Sequence, residues 1–212
     1  MTEAIHRALT RLASALRVSA PWLFARELLN QPSAVGAVWP SSSQLAKGMA
    51  ARVPSDGDGL VVELGGGTGA VTHALLQRGI APERLLVVER SPAFVQHLRS
   101  RFPGVTVVQG DATELADLLD PGSQIDAIVS SLPLRSLPAR DAMAIVAQWR
   151  ALLAKGGTVV QFTYDLRGTG HRAPPGFLRR ASDIVWANLP PARVLALESR
   201  GADPRLADWL RR

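Results

Sequence analysis

The most informative residues of this sequence are a run of glycines between two carboxylates. Residues 61 to 76, VVELGGGTGAVTHALL, have the pattern of a buried strand, a glycine-rich turn and a helix. The turn carries alternating glycines, Gly65, Gly67 and Gly69. Such a turn lets a ligand approach the backbone, where amides at a helix N-terminus point toward it. Glu63 precedes the glycines, and Glu89 ends the next predicted strand. A carboxylate in the position of Glu89 can accept hydrogen bonds from both hydroxyls of a ribose, so the pattern predicts a ligand that contains a nucleoside.

These residues must be positioned by the elements around them. From residue 60 onward, short apolar runs alternate with stretches of helical periodicity. The strand candidates are rich in Val, Ile and Leu, as is typical of parallel strands covered on both faces, and they span residues 60–65, 85–90, 105–110, 125–132 and 158–164. Helices are predicted over residues 69–78, 92–101, 113–119 and 139–154. Strands separated by helices predict an α/β fold with a doubly wound, mostly parallel sheet.

Segments at both ends of the chain complete this prediction. Residues 182–199, SDIVWANLPPARVLALES, read as two strands around a Leu-Pro-Pro turn, which predicts an antiparallel C-terminal hairpin and a sheet of seven strands. Residues 1–30 predict two amphipathic helices, in which apolar residues recur on one face. A further helix is predicted over about residues 44–52, capped by the preceding serines. The chain thus divides into N-terminal helices, 1–30, and one α/β domain, 31–212.

Composition limits the kinds of site. The chain has 212 residues, a formal net charge of +6 and no cysteine, which excludes disulfides, thiolate metal sites and cysteine nucleophiles. No residues show metal-ligand spacing, and no metal is expected. No apolar run reaches the roughly 18 residues of a membrane span, and no secretory signal is recognisable, so we expect a cytoplasmic protein. The basic charge favours an anionic partner such as nucleic acid or a membrane surface, although an arginine-rich composition explains it equally well.

Polar residues at four successive strand ends, together with the alternating glycines, resemble the motifs of the class I S-adenosylmethionine-dependent methyltransferases. The resemblance implies S-adenosylmethionine as the cofactor, with Glu89 at the ribose and Asp111 at the adenine amino group. The residues implied to bind the cofactor in the α/β domain are Glu63, Gly65, Gly67, Gly69, Glu89, Arg90, Asp111, Ala112 and Ser130. A dinucleotide-binding dehydrogenase is the other interpretation of the glycines.

The segment after the fourth strand bears on the methyl acceptor. Its sequence, SSLPL, is similar to the N-L-P-Y motif of rRNA adenine dimethyltransferases, but Ser131 stands at the amide position and Leu134 at the aromatic position. Leucine cannot stack on a flipped base as an aromatic ring does, which counts against a nucleobase acceptor. Three alternatives stay open: an rRNA or nucleic-acid adenine N-methyltransferase, a small-molecule or protein methyltransferase, and a non-catalytic membrane-surface protein.

A more specific resemblance runs from about Phe24 through Arg193. The stretches FARELLNQPSAVGAVWPSSSQLAKGMA, SSLPLRSLP and VVQFTY resemble the soluble-type bacterial phospholipid N-methyltransferases, which convert phosphatidylethanolamine stepwise to phosphatidylcholine. The resemblance implies that Ser41 and Ser42 close over the cofactor. It also implies that the basic N-terminal helix binds an anionic membrane surface at the inner face of the cell membrane, with no nucleic acid as partner. The other interpretation of that helix is that it packs on its own domain.

Four residues are predicted to act on the acceptor: Tyr164, Ser131, Arg167 and His171. Methylation leaves the acceptor amine cationic, and Tyr164 is predicted to contact the headgroup by its hydroxyl or by its ring, whose face can stabilise that charge. The other interpretation is that Tyr164 packs against the loop that follows it. Arg167 and His171 lie in a polar loop, DLRGTGHRAPPG, where they can bind the phosphate of a phospholipid. His171 can alternatively act as a base.

Overall fold

The computed structural model describes residues 43–166, 173–188 and 190–201. The predicted N-terminal helices lie outside the described residues, and so do Ser41, Ser42, Arg167 and His171. Their roles, and the division of the chain at residue 30, therefore stay predictions.

The described residues form one seven-stranded sheet in the order β3-β2-β1-β4-β5-β7-β6. The strands are β1 (Leu60–Leu64), β2 (Leu85–Glu89), β3 (Thr106–Gln109), β4 (Ile125–Ser130), β5 (Thr158–Thr163), β6 (Phe177–Val185) and β7 (Ala192–Ser199). β1 to β5 pair in parallel, whereas β7 runs antiparallel to both β5 and β6. The predicted α/β fold with an antiparallel C-terminal hairpin is confirmed, although β6 begins five residues before the predicted hairpin.

Four α-helices accompany the described strands: α1 (Ser43–Ala50), α2 (Ala70–Gln77), α3 (Pro92–Arg101) and α4 (Ala139–Leu152). The predicted α-helix over 113–119 is wrong in type. This segment is 3-10 helix, Ala112–Leu118, with a non-helical backbone at Glu114. The cause is local, because the Asp111 side chain accepts a hydrogen bond from the Thr113 amide and caps a tight turn there. None of the described helices is long and apolar enough to cross a membrane.

Both faces of the sheet are buried along β1, β2, β4 and β5, which explains the continuous apolar runs in these strands. On one face, Val61, Val87 and Val129 pack with α1 and α2. On the other face, Val62, Leu64 and Ile128 pack against α4, whose Trp149 is 1% exposed. Because parallel strands end at the same edge of the sheet, the loops after β1, β2, β4 and β5 are brought together at that edge.

Candidate active site

The glycine turn after β1 has one open position. Gly65, Gly67 and Gly69 all adopt positive φ, at 81°, 50° and 80°, a region that favours glycine. A Cβ placed on Gly65 would lie 2.9 Å from Leu132 Cδ2, and one on Gly69 would lie 2.5 Å from Phe102 Cε2. A Cβ on Gly67 would meet nothing within 4 Å. Of the three glycines, only Gly67 therefore presents bare backbone to open space where a ligand can approach.

The neighbouring Gly66 was not singled out by the spacing of the glycines, but it is the most tightly enclosed residue of the turn. It is buried, and a Cβ there would lie 2.5 Å from Val87 Cγ1 and 2.8 Å from Leu98 Cδ1. Gly66 is therefore required for the turn to pack on β2 and α3, since real Cβ atoms do not approach neighbours so closely.

The carboxylate of Glu89 is held by the backbone on both sides. Its Oε2 accepts from the Gly67 amide at 2.9 Å, and its Oε1 accepts from the Ser91 amide at 2.8 Å. These bonds join the end of β2 to the glycine turn and fix the carboxylate beside the open Gly67. A carboxylate held in this way beside exposed backbone is of the kind that accepts hydroxyl groups of a ligand.

Glu63 is a fully buried acid beneath the same turn. Its side chain is 0% exposed, and its Oε2 accepts from the Thr72 hydroxyl of α2 at 2.7 Å. Its Oε1 is buried without a hydrogen-bond partner among the described residues. Burial raises the pKa of this carboxyl to about 8, the Thr72 hydrogen bond opposes the rise, and the Glu89 charge adds to it. The unpartnered oxygen marks a place where a cationic or hydrogen-donating ligand group would be stabilised.

The segment after β3 presents a second carboxylate at the same sheet edge. Asp111 Oδ1 accepts from both the amide and the hydroxyl of Thr113, at 2.9 and 2.8 Å. Its Oδ2 lies 3.8 Å from Arg90 Nη1, and Ala112 behind it is buried. Oδ1 is therefore used within the turn, and Oδ2 makes the ion pair with Arg90.

The loop after β4 is fastened to the strands on either side. The Ser131 amide donates to Leu64 O of β1 at 2.9 Å, and Gln161 Nε2 of β5 donates to Leu132 O at 2.8 Å. The Ser130 side chain is completely buried and its Oγ accepts weakly from the Leu132 amide at 3.4 Å. Ser131 Oγ is buried with no hydrogen-bond partner among the described residues. Leu132 and Leu134 pack on the core below the loop, which is the packing role considered for them in the sequence.

Tyr164 follows β5 at the same edge. Its ring lies edge-on to Phe162 with centroids 5.3 Å apart. The phenol is half-buried, so desolvation raises its pKa, while a hydrogen bond with Asn188 opposes the shift. Tyr164 is therefore a neutral phenol and an aromatic surface near neutral pH rather than a base.

Sequence reasoning missed several residues of this site. Thr72, Gln161 and Asn188 each hold a predicted site residue or loop, and Arg135 Nη1 pairs with Asp165 Oδ2 at 2.6 Å across the loops after β4 and β5. Gln161 carried a signal that was available, since it is a polar residue inside the apolar strand VVQFT. The others carried none: Arg135 and Asn188 have partners distant in sequence, and Thr72, nine residues after Glu63, is one polar residue in a helix whose partner its type does not indicate. Among the described residues, no group of acidic or histidine side chains is arranged to hold a metal ion.

Comparison with known proteins identifies the family to which this chain belongs. A family model described as a methyltransferase domain matches residues 61–157. An ornithine lipid N-methyltransferase of Singulisphaera acidiphila is 34% identical over 184 residues, which cover 81% of this chain and 92% of that protein. The chain belongs to the class I S-adenosylmethionine-dependent methyltransferases, and its methyl donor is S-adenosylmethionine.

More distant likenesses agree with this family. A probable ribosomal RNA small subunit methyltransferase A of Haloarcula marismortui is 42% identical over 79 residues, 34% of this chain but only 25% of that protein. The crystal structure of magnesium protoporphyrin IX methyltransferase from Synechocystis PCC 6803 superposes with a TM-score of 0.56 at 16% identity, over 74% of this chain and 79% of that chain. The latter likeness concerns the fold alone.

The residues of the sheet edge fit this cofactor. In a bound complex the carboxylates of Glu89 and Asp111 would accept hydrogen bonds from the ribose hydroxyls and the adenine amino group. Gly67 leaves bare backbone beside Glu89, and Glu63 Oε1, buried with no hydrogen-bond partner among the described residues, would accept from the amino group of the methionyl portion.

Proposed function

We propose that this enzyme transfers methyl groups from S-adenosylmethionine to the amine of a membrane-lipid headgroup. The observation that carries the proposal is the extent of the similarity to the ornithine lipid N-methyltransferase, which spans 92% of that relative. A similarity of that extent includes the acceptor side of the molecule. The likeness to the ribosomal RNA methyltransferase of Haloarcula marismortui, in contrast, is limited to 34% of this chain.

Two headgroups fit the proposal. Ornithine lipid is first, because of the extent of that similarity. Phosphatidylethanolamine is second, because the sequence motifs resemble phospholipid N-methyltransferases that lead to phosphatidylcholine. Both lipids offer a primary amine on a short flexible arm, so one acceptor site serves the same chemistry in either case.

The chemistry requires positioning more than acid–base catalysis. The bound cofactor supplies an electrophilic methyl group on a sulfonium. The amine nitrogen forms a bond to that carbon as the carbon–sulfur bond breaks, and the resulting ammonium loses a proton to solvent before another methyl is added. In-line positioning can lower the barrier by roughly 7–11 kcal/mol in favourable cases. The protein must therefore admit the amine in its neutral form and hold its lone pair toward the methyl group.

The described residues suit this task. Ser131 Oγ is buried and has no hydrogen-bond partner among the described residues, so it can receive an amine N–H. In this proposal the partly exposed part of the Tyr164 ring, which packs on the core beside Phe162, stabilises the cationic product. In this proposal Arg167 and His171, which lie outside the described residues, bind the anionic part of the headgroup.

The proposal includes a location at the cytoplasmic surface of the membrane. The basic amphipathic helix predicted in residues 1–18 would lie in the interface of an anionic bilayer and bring the sheet edge to the headgroups. Nucleic acid is not the expected partner, since Leu134 packs on the core and offers no ring for a base.

The test uses purified full-length protein with methyl-labelled S-adenosylmethionine. Anionic phosphatidylglycerol vesicles would contain ornithine lipid, phosphatidylethanolamine or neither, and extracted lipids would be separated by their degree of methylation. We expect label in an aminolipid, absent from vesicles without one and lost in Glu89→Ala. Cofactor binding without label in either lipid, followed by label in total RNA, would replace this proposal with the nucleic-acid alternative.

A further inference from the structure

The buried amide of Gln161 in β5 bonds to the segment at the end of β4, residues 130–134, which we call the acceptor loop. Gln161 lies in β5, is 6% exposed, and pairs in register with Ser130 at the end of β4. Its Nε2 donates to Leu132 O in the loop and to Phe162 O in its own strand, both at 2.8 Å. Both N–H groups of the amide are thus used.

This arrangement also fixes which way the amide points. If the amide were flipped, its oxygen would face two carbonyl oxygens, and both bonds would become repulsive. Nε2 therefore faces Leu132 O and Phe162 O, and Oε1 faces away from them. Oε1 is buried and has no hydrogen-bond partner among the described residues.

The bond from Gln161 restrains the residue next to the predicted acceptor-binding serine. Leu132 is held through its carbonyl by Gln161, while the Ser131 amide is held by Leu64 O at 2.9 Å. The Leu132 side chain in turn contacts the glycine turn, since a Cβ on Gly65 would lie 2.9 Å from Leu132 Cδ2. These two hydrogen bonds and this contact therefore hold the loop at a fixed position relative to the glycine turn after β1, which we call the cofactor turn.

We propose that Gln161 is a positioning residue for the acceptor amine, and that it acts by holding the loop of residues 130–134 at the distance from the cofactor turn that methyl transfer requires. The inference rests on the proposed methylation of an amine. Ser131 Oγ, buried and without a partner in the described part of the chain, is the group that receives the amine N–H once the loop is held. Small displacements of a reacting group can cost a factor of about 100 in rate, so one strand-to-loop hydrogen bond can be decisive.

The test compares Gln161→Met with a matched control, Gln148→Met. Gln148 is 7% exposed in α4 and also makes two hydrogen bonds, donating to Thr113 O at 2.8 Å and accepting from the Ala116 amide at 3.0 Å. Both variants remove two buried hydrogen bonds, so both should lose similar stability. Only Gln161→Met releases the acceptor loop.

We expect Gln161→Met to lower kcat/KM for the acceptor by roughly 10- to 100-fold, with the Kd for S-adenosylhomocysteine changed less than about threefold, that is, by under 1 kcal/mol. Gln148→Met should leave the acceptor KM unchanged. The acceptor kcat/KM is measured on whichever acceptor the wild-type enzyme labels, lipid or RNA, so a failure of the lipid proposal is distinguished from a failure of this inference. If both variants lose acceptor kcat/KM equally, in proportion to their loss of stability, then Gln161 has only a structural role and the inference is wrong.

A second variant keeps the inference falsifiable if Gln161→Met folds poorly. Gln161→Glu retains the length of the side chain, and its carboxyl can donate to Leu132 O only while it is protonated. If the residue acts by holding the loop, the acceptor kcat/KM of Gln161→Glu should fall relative to the wild type as pH rises and that carboxyl ionises. A Gln161→Glu enzyme whose activity stays equal to that of the wild type at every pH where it remains folded would overturn the positioning role.

Discussion

Glu63 Oε2 and the Thr72 hydroxyl are joined by a 2.7 Å hydrogen bond that ties β1 to α2 where solvent does not reach. The bond links the strand that precedes the glycine turn to the helix that follows it. It also leaves a carboxyl group buried with one unpartnered oxygen, and this has measurable consequences for stability.

The first prediction concerns the pH dependence of folding. The folded-state pKa of Glu63 is raised to about 8 from an ordinary value of 4.5. Between these values the folded cofactor-free protein retains a proton that the unfolded chain has lost, so its stability falls as pH rises from 4.5 and the loss is complete above 8. Glu63→Gln cannot ionise and still accepts from Thr72. We expect the free energy of unfolding of the wild type to fall relative to Glu63→Gln by a few kcal/mol by pH 8, measured by urea denaturation. If the free energies of unfolding of the wild type and of Glu63→Gln change in parallel with pH, the raised pKa of Glu63 is wrong.

The second prediction concerns cofactor affinity. Glu89→Ala removes the acceptor of the Gly67 and Ser91 amides and one oriented carboxylate. Charge-assisted hydrogen bonds contribute about 1.5–3 kcal/mol each. We expect the Kd for S-adenosylhomocysteine to rise by at least roughly 10- to 100-fold, measured by isothermal titration calorimetry. Glu83→Ala is the control, because Glu83 is an exposed carboxylate just before the same strand. A Glu89→Ala protein that binds normally would rule out the ribose role.

The third prediction separates two adjacent glycines. Gly66→Ala places a methyl group against Val87 and Leu98, so we expect a clear loss of thermal stability. Gly67→Ala meets no atom within 4 Å but retains a φ of 50°, so it should cost only about 1–2 kcal/mol of stability while obstructing the ligand. Gly66→Ala should therefore lower the melting temperature more than Gly67→Ala does, whereas Gly67→Ala should raise the cofactor Kd more than Gly66→Ala does. If Gly67→Ala raises the cofactor Kd less than Gly66→Ala does, the cofactor does not use the open space beside Gly67.

The fourth prediction tests the ring of Tyr164. Tyr164→Phe retains an aromatic face beside Phe162, and Tyr164→Leu does not. We expect Tyr164→Leu to lose roughly 2- to 30-fold in kcat/KM relative to Tyr164→Phe, corresponding to about 0.5–2 kcal/mol of cation–π stabilisation. The loss should be larger for methylated intermediates than for the primary amine. A large loss in Tyr164→Phe itself would indicate that the hydroxyl, with its partner Asn188, is the active group.

The part of the candidate site formed by the loops after β1, β2 and β3 could largely be predicted from the sequence, because the patterns that indicate it are local. The glycine spacing, the strand-end carboxylates and the apolar strand runs lie within short windows, and parallel topology then brings the strand ends together. The α-helix predicted over 113–119 failed for an equally local reason that periodicity does not detect, namely the Asp111 cap on Thr113. The start of β6 at Phe177 was also missed, since the adjacent Arg179 and Arg180 break the alternation of apolar and polar residues, and the strand shifts register there.

The part of the candidate site formed by the loops after β4 and β5 was less predictable, because the hydrogen bonds and ion pairs that hold it join residues from neighbouring strands. Gln161 and Leu132 are 29 residues apart, and Arg135 and Asp165 are 30 apart. Neither pairing follows from spacing along the chain, since each depends on β4 and β5 being neighbours. The roles of Ser131 and Tyr164 were predicted from family motifs and their places at strand ends, whereas the groups that hold them become visible only in the fold.

The cofactor turn and the acceptor loop are fastened by different sets of bonds. Glu89 is held by amides of the β1 and β2 ends, while the acceptor loop is held from β5 by Gln161. The two are joined where the Ser131 amide bonds to Leu64 O and where Leu132 packs against Gly65. A lineage that changes its acceptor is therefore expected to vary other residues of the acceptor loop and of the strand beside it, while Leu132 and the glycine turn change together or not at all.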